Sequence, residues 1–375
     1  MRRSSFVILL GGLVLLSILG EPVEAVGQDQ RGAQQQWDGA NADPCFDAPS
    51  YVIYRAPSAV EADGRLDEIV WAAAPWTSDF VEMSGQGPSS PQFGTRAKMV
   101  WNDEALYVAA RLEEPHVWAT LTERDARIYL DNAFEVFIDP NGDTHHYYEL
   151  EVNALGTLWD LMLVKPYRDG GPLLSAWDIR GLEVGVRVDG TLNDPTDTDE
   201  GWIVELALPW SVLAEAAPEA RPPHAGEQWR LNFSRSHWSL AVVEDEYRKD
   251  PDTPADWSVW SPQGEIDIHK PECWGFVQFA ETSVGDGTVA FVEDPNEQIK
   301  WALRTLYYRQ RDFFEERGEY ADDLDDLDAG DIAVEGGTVE PLLRTTQSTY
   351  EITSPGVNGA TVHIRHDGKV WTTAE

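Results

Sequence analysis

Between Tyr129 and Asn153 the chain reads YLDNAFEVFIDPNGDTHHYYELEVN. Polar and apolar residues alternate through Ala133–Asp139 and again through His146–Asn153, the period of a strand with one buried face. Pro140-Asn141-Gly142-Asp143 supplies a polar turn between the two runs. Glu135 and Asp139 share a parity in the first run, and Glu149, Glu151 and Asn153 share one in the second. Carboxylates and an amide set regularly along one sheet face are the chemistry that hydrogen-bonds a polyhydroxylated ligand. A solvated antiparallel hairpin fits the same pattern.

The same short period recurs along the chain. Strand-like runs are read at Arg96–Trp101, Ala105–Leu112, Phe134–Asp139, Tyr147–Asn153, Val184–Val188, Trp202–Leu208, Gln228–Ser234 and Trp274–Phe279, with Asn-, Asp-, Gly- and Pro-containing breaks between them. Short strands with such breaks predict a mainly β protein built as an antiparallel β-sandwich. Helical spacing is confined to Asp67–Ala74 and Trp210–Ala217 within this stretch. After a composition break at Glu281–Glu297, Ile299, Leu303, Leu306, Tyr307 and Phe314 recur at helical spacing. Strand-like pieces follow at Ser348–Thr353, Ala360–Arg365 and Lys369–Thr373. This predicts a small C-terminal α+β module, loosely similar to the globular part of pilin-like secreted proteins.

The start of the chain carries a different signal. Arg2-Arg3, an apolar run from Phe6 to Leu19 and the small residues around Val23-Glu24-Ala25 read as a signal peptide. The resulting division is a signal peptide over 1–25, a flexible leader over 26–50, a sandwich over 51–280, a linker over 281–296 and the α+β module over 297–375. No later apolar run is long enough to span a membrane. The chain is therefore read as exported, periplasmic or extracellular.

Charge narrows the partner list. The formal net charge is −38, and six of the 28 basic residues are Lys, so nucleic acid and anionic membranes are poor partners. Two cysteines remain after export, Cys45 and Cys273, flanking the main domain. In an oxidising compartment the pair is expected to form a disulfide.

Thirteen of the sixteen tryptophans lie between Tyr51 and Ala280. Trp71, Trp101, Trp202, Trp229 and Trp274 sit in apolar patterns and are expected to pack in the core. Tyr129, Trp159, Trp177, Trp238, Trp257 and Trp260 sit at strand ends or in loops, where a ring face can stack on a sugar. Asp139-x-Asn141-x-Asp143 and the loop containing Asp197 and Asp199 place hard oxygen ligands around turns. Calcium is the cofactor they would take, and an ordinary Asn/Asp turn is the alternative. His145-His146 and His363-x-x-His366 lack the companions of a metal framework.

Several of these runs, in this order, resemble carbohydrate-binding module family 9. The resemblance rests on Val60–Glu68 with Trp71, Ala97–Asp103, Leu106–Val108, Asp131–Asp139, Gly201–Ala207 and Trp274–Phe279. It implies a β-sandwich, often with bound calcium, in proteins of extracellular polysaccharide breakdown. Glu135 matches the ligand-contacting Glu of the family, and Tyr129 falls where the family places a clamping Trp. Glu151 falls where the family carries a basic residue. The second clamping ring falls near Ile268 or His269, with Trp260 as a displaced substitute.

The expected function is a non-catalytic carbohydrate-binding protein. Tyr129, Trp159, Trp177 and Trp260 would stack on the sugar, and Glu135, Glu151 and Asn153 would hydrogen-bond it. A glycoside hydrolase using Glu135 and Glu151 is the alternative. Its two carboxyls would have to stand at a defined separation across the sugar. Two further readings remain: a haem-binding sandwich with Met162 and Lys165 as axial candidates, and a surface-assembly protein whose C-terminal module binds a protein partner.

Overall fold

The computed structural model describes Cys45 and residues 47–85, 91–215, 222–334 and 337–374. The expected signal peptide, and all but the end of the expected leader, lie outside the described residues. Everything described belongs to one compact unit.

The strands of the main domain are β1 (Ser50–Arg55), β2 (Val81–Glu82), β3 (Thr95–Trp101), β4 (Ala105–Glu113), β5 (Ala133–Asp139), β6 (Tyr147–Asn153), β7 (Leu158–Leu163), β8 (Leu173–Leu174), β9 (Glu183–Asp189), β10 (Gly201–Pro209), β11 (Gln228–His237), β12 (Leu240–Val243), β13 (Glu246–Lys249), β14 (Asp256–Val259) and β15 (Gly275–Ser283). Each strand-like run read from the sequence coincides with one of them to within a few residues. Two short helices, α1 (Ile69–Ala73) and α2 (Trp210–Leu213), fall where helical spacing was read. β1, β7, β12 and β14 were not singled out, because their alternation is short or interrupted.

One sheet runs β8-β7-β6-β5-β11-β15-β1-β3-β4-β10-β9, with β14 added on β11 and β2 on β14. Pairing is antiparallel except where β1 lies parallel to β15 and β3. The sheet folds over on itself. Phe134, Val136, Ile138, Leu150 and Val152 from β5 and β6 thereby share one core with Met99, Trp101, Val108, Leu112, Trp202, Val204 and Leu206 from β3, β4 and β10. The architecture is the expected antiparallel β-sandwich. Trp71, Trp101, Trp202, Trp229 and Trp274 are all buried.

The two outer faces are finished differently. Over β3, β4 and β10, a second apolar cluster (Val60, Val70, Trp71, Val100, Tyr107, Ala109 and neighbours) brings the chain around α1 down onto the sheet. Gly64 makes that approach, at φ +83°, with the backbone of Val186 and Arg187 only 2.8 Å from where a Cβ would stand. Over β5, β6 and β7 lies a smaller apolar cluster of Phe137, Tyr147, Leu161, Leu163 and Trp274, and the candidate site lies beside it.

The C-terminal module begins at α3 (Glu297–Arg317), which ends at left-handed Gly318. Beyond it come β16 (Ala333–Val334), β17 (Gly337–Thr338), β18 (Leu342–Thr345), β19 (Tyr350–Pro355), β20 (Thr361–Arg365) and β21 (Val370–Thr373), the last four forming a meander under the helix. Leu303, Leu306 and Tyr307 are fully buried against Ile352, Val362 and Ile364. Phe314, expected on the same stripe, is 41% exposed and rests on Tyr320 near the end of the helix.

This module is fastened to the sandwich by buried polar contacts. Arg168 grips Glu272 at two points, each 2.9 Å, and Tyr308 donates its hydroxyl to the same carboxylate. Tyr307 donates to Asp169 at 2.5 Å, and Arg311 joins it at 3.1 Å. Farther along the seam Lys369 pairs with Asp143 at 2.6 Å. Cys45 and Cys273 form a disulfide that closes 228 positions of chain, worth about 5 kcal/mol in the chain-entropy model.

Candidate functional site

Strand register builds the site. Glu135 on β5 stands opposite Glu151 on β6, Glu151 opposite Trp159 on β7, and Glu135 opposite Ser234 on β11. Because side chains alternate, all four project from the outer face of the sheet. Glu149 lies two positions from Glu151 on the same face. Glu135, Glu149 and Glu151 are 2%, 5% and 1% exposed, so this face is a buried acidic floor and the alternative of a solvated hairpin does not hold.

Aromatic rings rim that floor. The Tyr129 ring lies 6.2 Å from Trp159 and 6.3 Å from Trp257, whose strand position is opposite Ser236. Trp238 donates its indole N–H to the Tyr129 carbonyl at 2.8 Å, which fixes the loop. On the other side His269 packs edge-on to Tyr167 at 4.5 Å and meets the Tyr147 hydroxyl at 3.0 Å. Tyr167 is 45% exposed, so the rim is open to solvent there.

The floor is electrostatically uncomfortable. Burial first, and the neighbouring Glu149 second, push the Glu135 carboxyl up to about 8. Burial, then Glu135 and Glu149, raise Glu151 well above the usual carboxylate range. Burial raises Glu149 as well. Glu151 still accepts the Tyr129 backbone N–H at 2.7 Å. Glu135 is different, because its Oε1 is buried with no hydrogen-bond partner. A buried acceptor or donor left unmet costs about 1–3 kcal/mol, so a hydroxyl placed there is favoured.

Not all residues singled out from the sequence come together here. Trp177 lies on the other side of the sheet, stacked on Tyr148 at 4.7 Å, and packs against the main core. Trp260 is 3% exposed and pressed over Gly275, where an added Cβ would fall 2.4 Å from the indole. It offers no ring face to a ligand. Asn153 is fully buried and holds a turn: its amide donates to Leu121 and Asp131, and its oxygen accepts Leu155 and Thr157 N–H groups. Trp238 is covered by the Lys249 ammonium at 3.9 Å.

The oxygen-rich turns do not fit calcium. Asp139 accepts the N–H groups of Asn141, Gly142 and Thr144, while Asp143 accepts that of His145 and pairs with Lys369. Asn141 bonds Asp143 within the same turn. Asp199 accepts the N–H groups of Val117 and Thr191, and Asp197 accepts the Thr191 hydroxyl. These oxygens point at hydrogen-bond donors and a lysine instead of converging on an ion. Among the described residues, Asp125, Asp160 and Asp178 bring ligand atoms within 4.8 Å of one another, and the Arg124 guanidinium contacts all three.

Glu149, Trp257, Tyr167 and His269 complete the site beyond the residues expected to contact the sugar. Glu149 shared the parity of Glu151, and Trp257 was already a platform candidate at a strand end. His269 stands where the family resemblance placed its second ring. Tyr167 carried no signal, since a loop fixed from behind brings it in.

The fold is a β-sandwich with one outer face floored by buried carboxyls and rimmed by aromatic rings. Residues 62–278 match the family described as carbohydrate family 9 binding domain-like, more than half of the chain, and the protein belongs to that family. Exoglucanase XynX of Acetivibrio thermocellus and endo-1,4-β-xylanase A of Thermoanaerobacterium saccharolyticum are each 25% identical over 151 residues, 40% of this chain. That stretch spans only 12% and 11% of those relatives. Two family 9 module structures from Caldicellulosiruptor kristjanssonii, with cellotriose and with glucose, are 16% identical, with TM-scores of 0.41. They cover 65% and 64% of this chain and are themselves covered fully.

Proposed function

We propose that this is an exported, non-catalytic carbohydrate-binding protein serving extracellular polysaccharide breakdown. A saccharide lies on the outer face of β5–β7 and β11. Tyr129, Trp159 and Trp257 offer ring faces on one side, with Tyr167 and His269 on the other. Glu135, Glu149 and Glu151 form the hydrogen-bonding floor. The observation that carries the reading is the buried, partnerless Glu135 Oε1 beneath an aromatic rim. Family membership and the polysaccharide-degrading names of the relatives point the same way. The disulfide and the secretion-like start of the chain support export.

The carboxyl geometry favours binding over turnover. Glu135 and Glu151 stand side by side on one floor, whereas a hydrolase sets its two carboxyls on either side of the scissile bond. Haem ligation is disfavoured too, since Met162 packs against the main core. The test is a pull-down and calorimetric screen of the mature protein against soluble and insoluble polysaccharides. Binding that disappears in Trp159→Ala while the variant remains folded supports the site. Release of reducing sugar from a bound polysaccharide would overturn the non-catalytic reading.

A further inference from the structure

The opposite outer face of the sandwich carries a second pocket. Its volume is about 280 Å³, and Leu66, Trp71, Trp76, Lys98, Arg111 and Arg187 are among its lining residues. Register again explains the grouping. Arg96 stands opposite Arg111, Arg111 opposite Ile203, and Ile203 opposite Arg187, so three arginines form one outward row across β3, β4, β10 and β9. Lys98 lies two positions from Arg96 on the same face. In a chain of net charge −38 with 28 basic residues, four cations on one patch run against the composition.

The arginines and the lysine are in different situations. Arg96 has Asp79 at 3.3 Å, Arg187 has Asp189 at 2.6 Å, and Arg111 has Glu200 at 4.0 Å. All three are about half exposed, with counter-ions at the rim. Lys98 is 6% exposed. Its ammonium donates to the Trp71 carbonyl and lies 4.4 Å from the Trp76 ring centre. Among the described residues no carboxylate acts on it; burial, and then Arg96, make its charge harder to hold. Buried charges are normally paired, because the desolvation penalty amounts to several kcal/mol. An anion in the pocket would give Lys98 the counter-charge that the described residues do not.

We propose that this pocket binds a carboxylated sugar unit, a uronate, with its carboxylate on Lys98 and Arg111 and its ring against the apolar wall of Trp71, Trp76, Leu66 and Ile203. The volume suits one small ring at the lower end of ligand pockets, about 300–1,000 Å³. A guanidinium beside an ammonium gives a planar carboxylate both a fork and a point charge. Asp67 at the rim is available to accept a ring hydroxyl. This site shares no residue with the acid-floored groove, so either one can fail without the other.

The test is calorimetric titration of the mature protein with glucuronate, glucose, acetate and sulfate, repeated on Lys98→Met, Arg111→Gln and Trp159→Ala. In Trp159→Ala, where the other groove no longer contributes, glucuronate should bind more tightly than glucose, acetate or sulfate. Lys98→Met should weaken it at least tenfold and Arg111→Gln severalfold. Trp159→Ala, altered only in the other groove, should leave it unchanged. Arg111 is half exposed, so its substitution reads the site even if Lys98→Met disturbs folding. Glucuronate binding that is absent, matched by acetate, or equal in the wild type and Arg111→Gln would overturn the proposal.

Discussion

Two of the regions where this molecule buries carboxylates do it in opposite ways. At the seam between sandwich and C-terminal module, Glu272 is 6% exposed and gripped by Arg168 and Tyr308. Burial alone would raise its pKa, but Arg168 and then Arg304 outweigh that and hold it well below the usual range. On the groove floor, Glu135 is buried as deeply but lies against Glu149 and Glu151, and it rises to about 8. Glu272 finds its partners within the chain. Glu135 Oε1 does not, and we take that difference to separate a fastening from a binding site.

The largest effect should come from breaking the fastening. Removing one partner of a buried pair costs about 3–5 kcal/mol, so Arg168→Met should lower stability by that order in urea unfolding. The loss should include cooperativity between sandwich and module. An exposed pair offers a control: Arg248 and Glu246, both over 60% exposed, should change stability by less than about 1 kcal/mol when either is replaced.

The groove should respond through affinity. Trp159→Ala or Tyr129→Ala should weaken saccharide binding tenfold or more, about 1.4 kcal/mol, with little change in thermal midpoint. Arg311→Gln is an intermediate case. It touches Asp169, two positions from Tyr167, and so acts on the rim from behind. A severalfold loss of affinity, without loss of the secondary-structure signal, is expected by calorimetry.

The pH dependence of stability sharpens the contrast. Glu135 has a folded pKa near 8 against an ordinary 4.5, so the folded protein holds a proton that the unfolded chain releases between those values. Stability contributed by that proton is present below pH 4.5 and is lost as pH rises toward 8. Glu135→Gln should therefore flatten the fall and raise the midpoint at pH 8 by about 2–4 °C for each kcal/mol gained. Smallest of all should be the response to chelator: the turn at Asp139, Asn141 and Asp143 is held by N–H donors and Lys369, so the thermal midpoint should not move.

Much of the fold was legible because alternation in this chain is regular. β5, β6, β9 and β10 were readable to within two residues, and the parity of Glu135, Glu149 and Glu151 already placed them on one face. What the sequence hid was the cover over that face. Trp260 and Trp177 carry the same local pattern as Trp159, and only the third dimension shows Gly275 beneath one and Tyr148 against another. Asn153 looked like a ligand group because turn-holding amides and ligand-holding amides share one chemistry. Tyr167 and His269 reach the rim through loops that the C-terminal helix braces with Tyr307, Tyr308 and Arg311. No local signal could announce contacts made 36 to 142 residues away.

The most direct measurement compares Glu135→Ala with Glu272→Ala, each assayed for saccharide affinity and for thermal midpoint in one buffer. The account predicts a crossed result. Glu135→Ala keeps or raises its midpoint and loses binding, while Glu272→Ala loses midpoint and keeps binding wherever it remains folded. Unchanged saccharide binding in Glu135→Ala would contradict the account, because the unpaired Oε1 would then be no part of the site.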